Sequence, residues 1–228
     1  QFSDHDWVSA PVVDDNNILL GRITIDDVVD IIRSQAEHQA LGAAGLDEEE
    51  DLFSPIRRAV RGRVVWLGIN LCTAFLAASV IGQFELTLQK VVALAVLMPI
   101  VAGVGGNAAV QVLTLMVRGI ALGQVGPSNA RILLWKELRV ALINGTLIGL
   151  LVGVIAFLWF HSWLLSIVIT LALMINFCAA ALAGVLLPLL LKRMNVDPAV
   201  AGTVVVTAVT DVMGFFSFLG LATLILLH

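Results

Sequence analysis

The sequence is poor in charge and in cysteine, and both shortages narrow the class of protein. Charged residues make up 13% of the 228 residues, whereas hydrophobic residues make up 59% and the mean hydropathy is +0.99. A soluble domain carries about 25% charged residues, so this composition excludes one. The two cysteines, Cys72 and Cys178, both lie in apolar runs. We therefore expect them to act as small core residues without a disulfide framework.

Catalytic constellations are also missing from the sequence. It contains no Ser/His/Asp or Cys/His set, and its four histidines are scattered without zinc-ligand spacing. Asp211 lies deep in an apolar run and lacks the second carboxylate of an aspartyl protease. The sequence therefore predicts a protein that is not an enzyme.

A signal peptide is missing as well. The first residues, QFSDHDWVSAP, are polar and acidic, with neither a basic start nor an apolar core, and no methionine precedes them. We therefore expect the chain to be the C-terminal part of a longer protein, or to have lost its beginning.

The first part of the chain has the pattern of half of a small α/β domain. Two apolar segments, 9–13 and 18–23, are typical of strands and flank the turn cluster Asp14–Asn17. Thr24 and Asp27 then fit the capping-box pattern at the start of a helix. Such a unit is too small to fold alone, so we expect preceding residues to complete it.

Residues 33–54 are polar and acidic. This composition is typical of a solvated helical linker, and it also fits a cytosolic element that senses cations through its carboxylates. The residues alone leave both interpretations open.

Five later stretches are long and apolar enough to cross a bilayer, which takes about 20 residues. They cover approximately residues 64–81, 91–117, 140–160, 164–191 and 199–227. The segment PIVAGVGGNAAVQ interrupts the second stretch, and we expect the helix to be broken there. The sequence thus predicts an all-α integral membrane domain with five transmembrane helices.

The basic residues indicate how these helices are oriented. They cluster before the first stretch, between the second and third, and between the fourth and fifth, at Arg57, Arg58, Arg61, Arg63, Arg118, Arg131, Lys136, Arg139, Lys192 and Arg193. Lys90 alone falls on the opposite side. Because basic loops stay in the cytoplasm, we expect a cytoplasmic N-terminal part and a C-terminus on the outside.

Asp211 lies about 18 Å along the last stretch, near the middle of the bilayer. A charged side chain there costs at least about 2.5–3.5 kcal/mol on insertion scales, so it must face the bundle interior or water. Thr203 and Thr207 share its helical face at four-residue spacing. Because the sequence offers no basic residue at that depth, we predict a cation or proton site. The alternative is a neutral Asp211 that is hydrogen-bonded to a neighbouring helix.

The segment from Met98 to Gln111 combines Pro99 with very small and polar residues. A broken helix in lipid is tolerated only where it is buried or lines a cavity. We therefore expect this segment to line a pore through Gly103, Gly105, Gly106, Asn107 and Gln111. Bare carbonyls there would bind a hard cation or its water shell. The alternative is that the glycines serve close helix packing.

The remaining polar groups give weaker signals. Three asparagines are interpreted as interhelical hydrogen-bond partners: Asn70, Asn144 and Asn176. Lys136 and Glu137 are adjacent and lie on different helical faces, so we expect each to have its own partner. Of the carboxylates in this part of the chain, we expect only Asp211 to lie deep.

Three motifs together resemble the MgtE family of bacterial magnesium channels: PIVAGVGGNAAVQ, LLPLLLKRMNVDPAVAG and TAVTDVMGF. Upstream, PVVDDNNILLGRITIDDVVDII is similar to the end of a CBS domain, and LDEEEDLFSPIRRAVRGRVVWLGINL resembles the family's connecting helix as it enters the first span. The resemblance covers essentially the whole chain. It implies a CBS-domain fragment over residues 1–32, a connecting (plug) helix region over 33–62 and a five-helix pore domain over 63–228.

The resemblance also implies a homodimer in the bacterial cytoplasmic (inner) membrane, with a pore on the two-fold axis lined by the second and fifth spans. It places hydrated Mg²⁺ at Asp211, with Thr207 and Thr203 lining the pore one and two turns earlier. Family members can carry alanine and asparagine at these two positions, so the contribution of the threonines stays open. Membrane lipid is a further expected partner, and nucleic acid is not expected.

For gating, the resemblance implies Mg²⁺ bound between the CBS part and the connecting helix. The matching positions are Asp6, Asp27 and Asp30, while two further acidic positions of the family fall on His38 and Gln39. The resemblance also admits ATP at the CBS domains of the full-length protein.

The expected function is therefore a Mg²⁺-selective channel that conducts hydrated Mg²⁺ into the cytoplasm and is closed by cytosolic Mg²⁺. Two alternatives remain open. One is a proton- or sodium-coupled divalent cation transporter that uses Asp211, and the other is a membrane Mg²⁺ sensor that does not transport.

Overall fold

A small antiparallel hairpin opens the fold. The structure is a computed structural model that describes residues 2, 6–46, 53, 55–126 and 129–227. In it, β1 (Ser9–Val13) pairs with β2 (Leu19–Thr24), so both predicted strands are confirmed. At the turn, Oδ1 of Asp14 accepts hydrogen bonds from the backbone N–H groups of Asn16 at 2.9 Å and Ile18 at 2.7 Å. These bonds hold the predicted turn in place.

The hairpin leads directly into α1 (Ile25–Ala43). Its predicted capping box is present, because Oδ2 of Asp27 accepts hydrogen bonds from the backbone N–H and the hydroxyl of Thr24, each at 2.8 Å. The helix passes through the expected boundary between residues 32 and 33 without a break. It ends before Gly45, whose left-handed backbone (φ 72°) and contact with the indole ring of Trp66 both require the absence of a side chain.

Five long helices follow, as the hydropathy pattern predicts. They are α2 (Ile56–Gln83), α4 (Ala93–Ala121), α5 (Ala130–Phe160), α6 (Trp163–Arg193) and α7 (Pro198–Leu226), with the short α3 (Glu85–Lys90) between the first two. Each long helix has 28 to 31 residues, which exceeds the roughly 20 residues needed to cross a bilayer. α5 begins ten residues before the expected position 140, because the polar residues ahead of the apolar stretch continue the helix.

The expected break in the second span is wrong. α4 is one uninterrupted helix from Ala93 to Ala121, with Pro99 inside it. Proline at the seventh position removes a single backbone donor, and the following glycines keep helical geometry. The segment therefore offers no unwound backbone with bare carbonyls for a cation. Whatever α4 contributes to a site must come from its side chains, or from the space that its glycines leave.

α6 is the central helix of the bundle. It packs against α4, α5 and α7, and 56% of its most apolar 18-residue segment is buried. The corresponding value is 6% for α2, which packs mainly on α7. Glycines at every fourth position of α5 (Gly145, Gly149 and Gly153) let that helix approach α6 closely. In this contact, the Thr170 hydroxyl donates to the Gly149 carbonyl at 3.0 Å. The packing brings α4 and α7 side by side against one face of α6.

Candidate functional site

The polar stripe predicted on the last span lies on α7. Asp211 is the fourteenth of its 29 residues, and Thr207 and Thr203 precede it by one and two turns. All three are half-buried. The Thr207 hydroxyl donates to the Thr203 carbonyl at 2.8 Å, so its proton is used within the helix while its oxygen can still accept.

An open groove between α4 and α7 contains the carboxylate of Asp211. From α7 it is lined by Thr207 and Asp211, and from α4 by Ala102, Gly103, Gly106, Asn107 and Val110. The two helices pack against each other, and a Cβ added at Gly106 would lie 3.8 Å from Cγ2 of Thr207. The structure thus places five of the predicted pore residues around one groove: Gly103, Gly106, Asn107, Thr207 and Asp211.

Three other predicted pore residues lie outside the lining of this groove. Gly105 is buried and faces the side chain of Asn176 on α6, so it serves helix packing. Gln111 lines a separate cleft between α4, α5 and α6. Thr203 lies on the same stripe as Thr207 but one turn beyond the groove lining. Because α4 is a continuous helix, its successive residues point in different directions and cannot all face one pore.

The electrostatics of the groove are those of an uncompensated carboxylate. Within the described part of the chain, Asp211 has neither a hydrogen bond nor an ion pair, and its neighbours in the groove are neutral. A carboxylate in such surroundings favours a cation or a proton beside it. Among the described residues, no three or more His, Cys, Asp or Glu side chains lie close enough together to hold a metal ion directly. The groove of one chain is therefore suited to a cation that keeps most of its water shell, because it lacks the ligands to replace that shell.

The carboxylates that the resemblance assigns to gating lie just before β1 and on α1. Asp6, Asp27 and Asp30 are exposed, and the described residues do not bring them together as a group of three ligands. Asp27 is the N3 residue of the capping box, and its hydrogen bonds from the backbone and hydroxyl of Thr24 lower the pKa of its carboxyl group. These bonds favour the ionised form of the carboxyl group. Asp6 has a left-handed backbone (φ 50°).

A contact between α1 and α7 was not predicted. Nε2 of His38 lies 2.7 Å from Oδ2 of Asp197, and Oδ1 of the same aspartate caps α7 by accepting from the backbone N–H of Ala199, also at 2.7 Å. The sequence Asp197-Pro198 is typical of a helix start and could have indicated the cap. The contact with His38 spans 159 positions, which local patterns do not reveal.

The space around this contact also involves α4. Ser34, Gln35 and His38 of α1 line it together with the beginning of α7 and with Val117, Ile120 and Ala121 at the end of α4. α1 therefore lies against the C-terminal end of α4 and the N-terminal end of α7, the two helices that form the Asp211 groove. Side chains 39 and 43 are outside the described residues, so the match of Gln39 to a gating position of the family stays a prediction.

The expectation that Lys136 and Glu137 have separate partners is wrong. Glu137 lies near the start of α5 and is buried, with 8% of its surface exposed. Its Oε1 pairs with Nζ of the adjacent Lys136 at 3.3 Å, although neighbours in a helix point in different directions. The lysine side chain is 64% exposed and long enough to bend toward Glu137 while its ammonium group stays accessible to solvent. Glu137 lines the separate cleft that also contains Gln111 and Asn144.

The sequence of the chain is similar to those of known proteins. The profile of the family described as "MgtE: Divalent cation transporter" matches residues 98–221, which include the groove-lining part of α4 and Asp211. Among curated proteins, the chain is 34% identical over 229 residues to the magnesium transporter MgtE of Thermus thermophilus, covering 99% of this chain and 50% of that protein.

Two further relatives are also magnesium transporters by name. The magnesium transporter MgtE of Enterococcus faecalis is 32% identical and that of Bacillus subtilis 29% identical, each over 221 residues. These matches cover 97% and 96% of this chain and 49% of each relative. The chain thus spans about half the length of the curated relatives it matches.

Proposed function

Since the chain belongs to the MgtE family of divalent cation transporters, which are multi-pass membrane proteins and not enzymes, we propose that it conducts hydrated Mg²⁺ through a pore lined by α4 and α7. The observation that carries the proposal is the groove around Asp211. It holds a half-buried carboxylate without a described partner, beside the oxygen-bearing side chains of Thr207 and Asn107. The three relatives are all magnesium transporters by name, which favours Mg²⁺ as the cargo.

The chemistry of Mg²⁺ suits this groove. Mg²⁺ gives up its water reluctantly, so a pore that holds its first water shell through hydrogen-bond acceptors avoids the cost of dehydration. In a homodimer, one Asp211 from each subunit would supply two negative charges to match the divalent cation. The long exposed apolar surface of α2 is available to a second subunit or to lipid.

The direction of transport follows from the proposed orientation. With the basic loops and α1 in the cytoplasm of a bacterial inner membrane, a membrane potential that is negative inside drives Mg²⁺ inward. Moving two charges through 100 mV supplies about 4.6 kcal/mol, twice the roughly 2.3 kcal/mol for one charge. Entry therefore needs no coupled ion.

Gating is the part of the proposal that concerns α1. Carboxylates on the cytosolic elements, with Asp27 and Asp30 as the proposed ligands, would attract Mg²⁺ when its cytosolic concentration rises. The contact between His38 and Asp197 would pass a movement of α1 to the first turn of α7, and hence toward the groove. Closure at high cytosolic Mg²⁺ is the expected consequence.

Reconstitution into liposomes tests the transport mode. With an internal Mg²⁺ indicator and a potassium diffusion potential that is negative inside, the chain should take up Mg²⁺ without any proton or sodium gradient. Uptake that requires a fixed stoichiometry of protons or Na⁺ would instead establish a coupled transporter. If wild-type vesicles take up no more Mg²⁺ than empty ones, the proposed transport function fails.

A further inference from the structure

Asn176, a residue of α6, lies behind the Asp211 groove rather than in it. It is fully buried, and its Nδ2 donates a hydrogen bond to the backbone carbonyl of Val101 on α4 at 3.0 Å. The expected interhelical role of this asparagine is thus confirmed. The bond fixes the position of α4 on α6, and α4 supplies most of the groove lining.

The amide of Asn176 fills space that two glycines leave open, one on each helix of the groove. A Cβ on Gly105 of α4 would overlap Nδ2 of Asn176. A Cβ on Gly214 of α7 would lie 2.7 Å from the same atom and 3.2 Å from Cγ1 of Val101. One side chain of α6 therefore sets how closely both helices approach it.

This three-helix contact lies at the level of the Asp211 carboxylate. Gly214 follows Asp211 by three residues, a rise of about 4.5 Å along α7. Gly105 immediately precedes Gly106, where an added Cβ would lie 3.8 Å from Cγ2 of Thr207 across the groove. A change in the size of the side chain at position 176 would thus alter the groove at the point where its carboxylate lies.

Simple packing does not account for an amide in this place. Oδ1 of Asn176 is buried and has no hydrogen-bond partner among the described residues. A buried acceptor without a donor is costly, and a small apolar side chain would fill the same space without that cost. The directional bond to Val101 is what the amide adds, because it fixes one relative position of the helices.

We propose that Asn176 is a positioning residue that sets the spacing of α4 and α7 beside Asp211, and with it the discrimination between Mg²⁺ and Ca²⁺. The inference rests on the proposed function. The two ions differ in size and in the rigidity of their water shells, so a groove of fixed width distinguishes them. Displacement of a positioned group by about 1 Å can cost up to ~100-fold, so a change on the order of tenfold in the uptake ratio is expected.

The test compares Mg²⁺ and Ca²⁺ uptake in proteoliposomes for wild type, Asn176→Ala, Gly105→Ala and the double variant. Asn176→Ala should shift the Mg²⁺/Ca²⁺ ratio about tenfold toward Ca²⁺. Gly105→Ala should lose Mg²⁺ uptake because its Cβ overlaps the amide, and the double variant should recover it. Gly68→Ala on α2 is the control, since its Cβ would meet no atom within 4 Å.

The outcomes separate this inference from the proposed function. If wild type takes up no Mg²⁺, or if Asp211→Asn leaves Mg²⁺ uptake intact, the proposed function fails. If both behave as proposed but Asn176→Ala keeps the wild-type ratio, only the positioning role fails. Should the alanine variant not assemble, Asn176→Leu decides, because it keeps the branching at Cγ, with a larger volume, and removes the donor. An unshifted ratio in that variant overturns the inference.

Discussion

The two carboxylates of α7 have opposite surroundings. Asp197, at the first turn, uses one oxygen to cap the helix and the other to contact His38. Asp211, in the middle of the same helix, has no partner among the described residues. Both oxygens of Asp197 are thus engaged in contacts within the protein. The charge of Asp211 is compensated by nothing in the described chain, which is what a site for a passing cation requires.

The strongest test of this contrast removes the unpartnered charge. Asp211→Asn keeps the shape of the side chain, and we expect Mg²⁺ uptake to fall by roughly 100-fold, since loss of a charge that pairs in a desolvated site costs about 2–5 kcal/mol. Size-exclusion chromatography should show unchanged assembly, because no described residue depends on this carboxylate for a bond. Asp211→Glu, which keeps the charge, should retain part of the uptake. Normal uptake by the asparagine variant would remove Asp211 from the pore.

A second test asks whether the groove or the whole polar stripe is the functional unit. Thr207 lines the groove with Asp211, whereas Thr203 lies one turn beyond it. Thr207→Val should reduce Mg²⁺ uptake about fivefold, which corresponds to the loss of one hydrogen-bond acceptor worth about 1 kcal/mol. Thr203→Val is the matched control, because it makes the same isosteric change on the same helix. Equal losses in both variants would show that the ion contacts the stripe along its length.

Much of the fold follows from local patterns in the sequence. The Asp14 turn, the Thr24–Asp27 capping box and the five apolar stretches all specify their elements through interactions within a few residues. The stripe on α7 is equally local, because four-residue spacing fixes a helical face. Each of these features was therefore predictable without knowledge of the tertiary structure.

The composition of the site was predictable only in part. The Met98–Gln111 segment was expected to be broken, and a broken segment can expose all of its residues to one pore. In a continuous helix, Gly103, Gly106 and Asn107 face the groove while Gly105 turns toward α6. Rotation of the helix against its neighbours decides this, and that rotation depends on contacts such as the one with Asn176. The burial of Glu137 was missed for the same reason, since it depends on how α5 and α4 meet α6.

Removing the partner of Asp197, the other carboxylate of α7, should change the proposed closure rather than the uptake itself, and by a smaller factor. His38→Ala removes the contact of α1 with Asp197, and we expect the Mg²⁺ concentration that half-closes the proposed channel to rise by up to about fivefold. The limit follows from the exposure of the pair, 37% and 45%, since exposed ion pairs contribute at most about 1 kcal/mol. Arg33→Ala is the control, because it breaks an exposed pair with Glu37 within α1. The same shift in both variants would mean that the contact with α7 does not transmit the closure.

The smallest expected effect concerns Asp27, a partnered carboxylate of α1. Its bonds from Thr24 lower the pKa of Asp27 in the folded protein. The stabilisation of α1 by this carboxylate is therefore fully present above the unfolded pKa of about 3.9 and is lost as the pH falls through the lower folded value. Hydrogen exchange should show reduced protection of the first turn of α1 in Asp27→Asn at pH 6, and the difference from wild type should vanish in strong acid. Asp30 lies outside the capping box, so Asp30→Asn should leave that protection unchanged at both pH values. If Asp30→Asn also reduces the protection at pH 6, then negative charge near the helix start, and not the Thr24 bonds, stabilises α1.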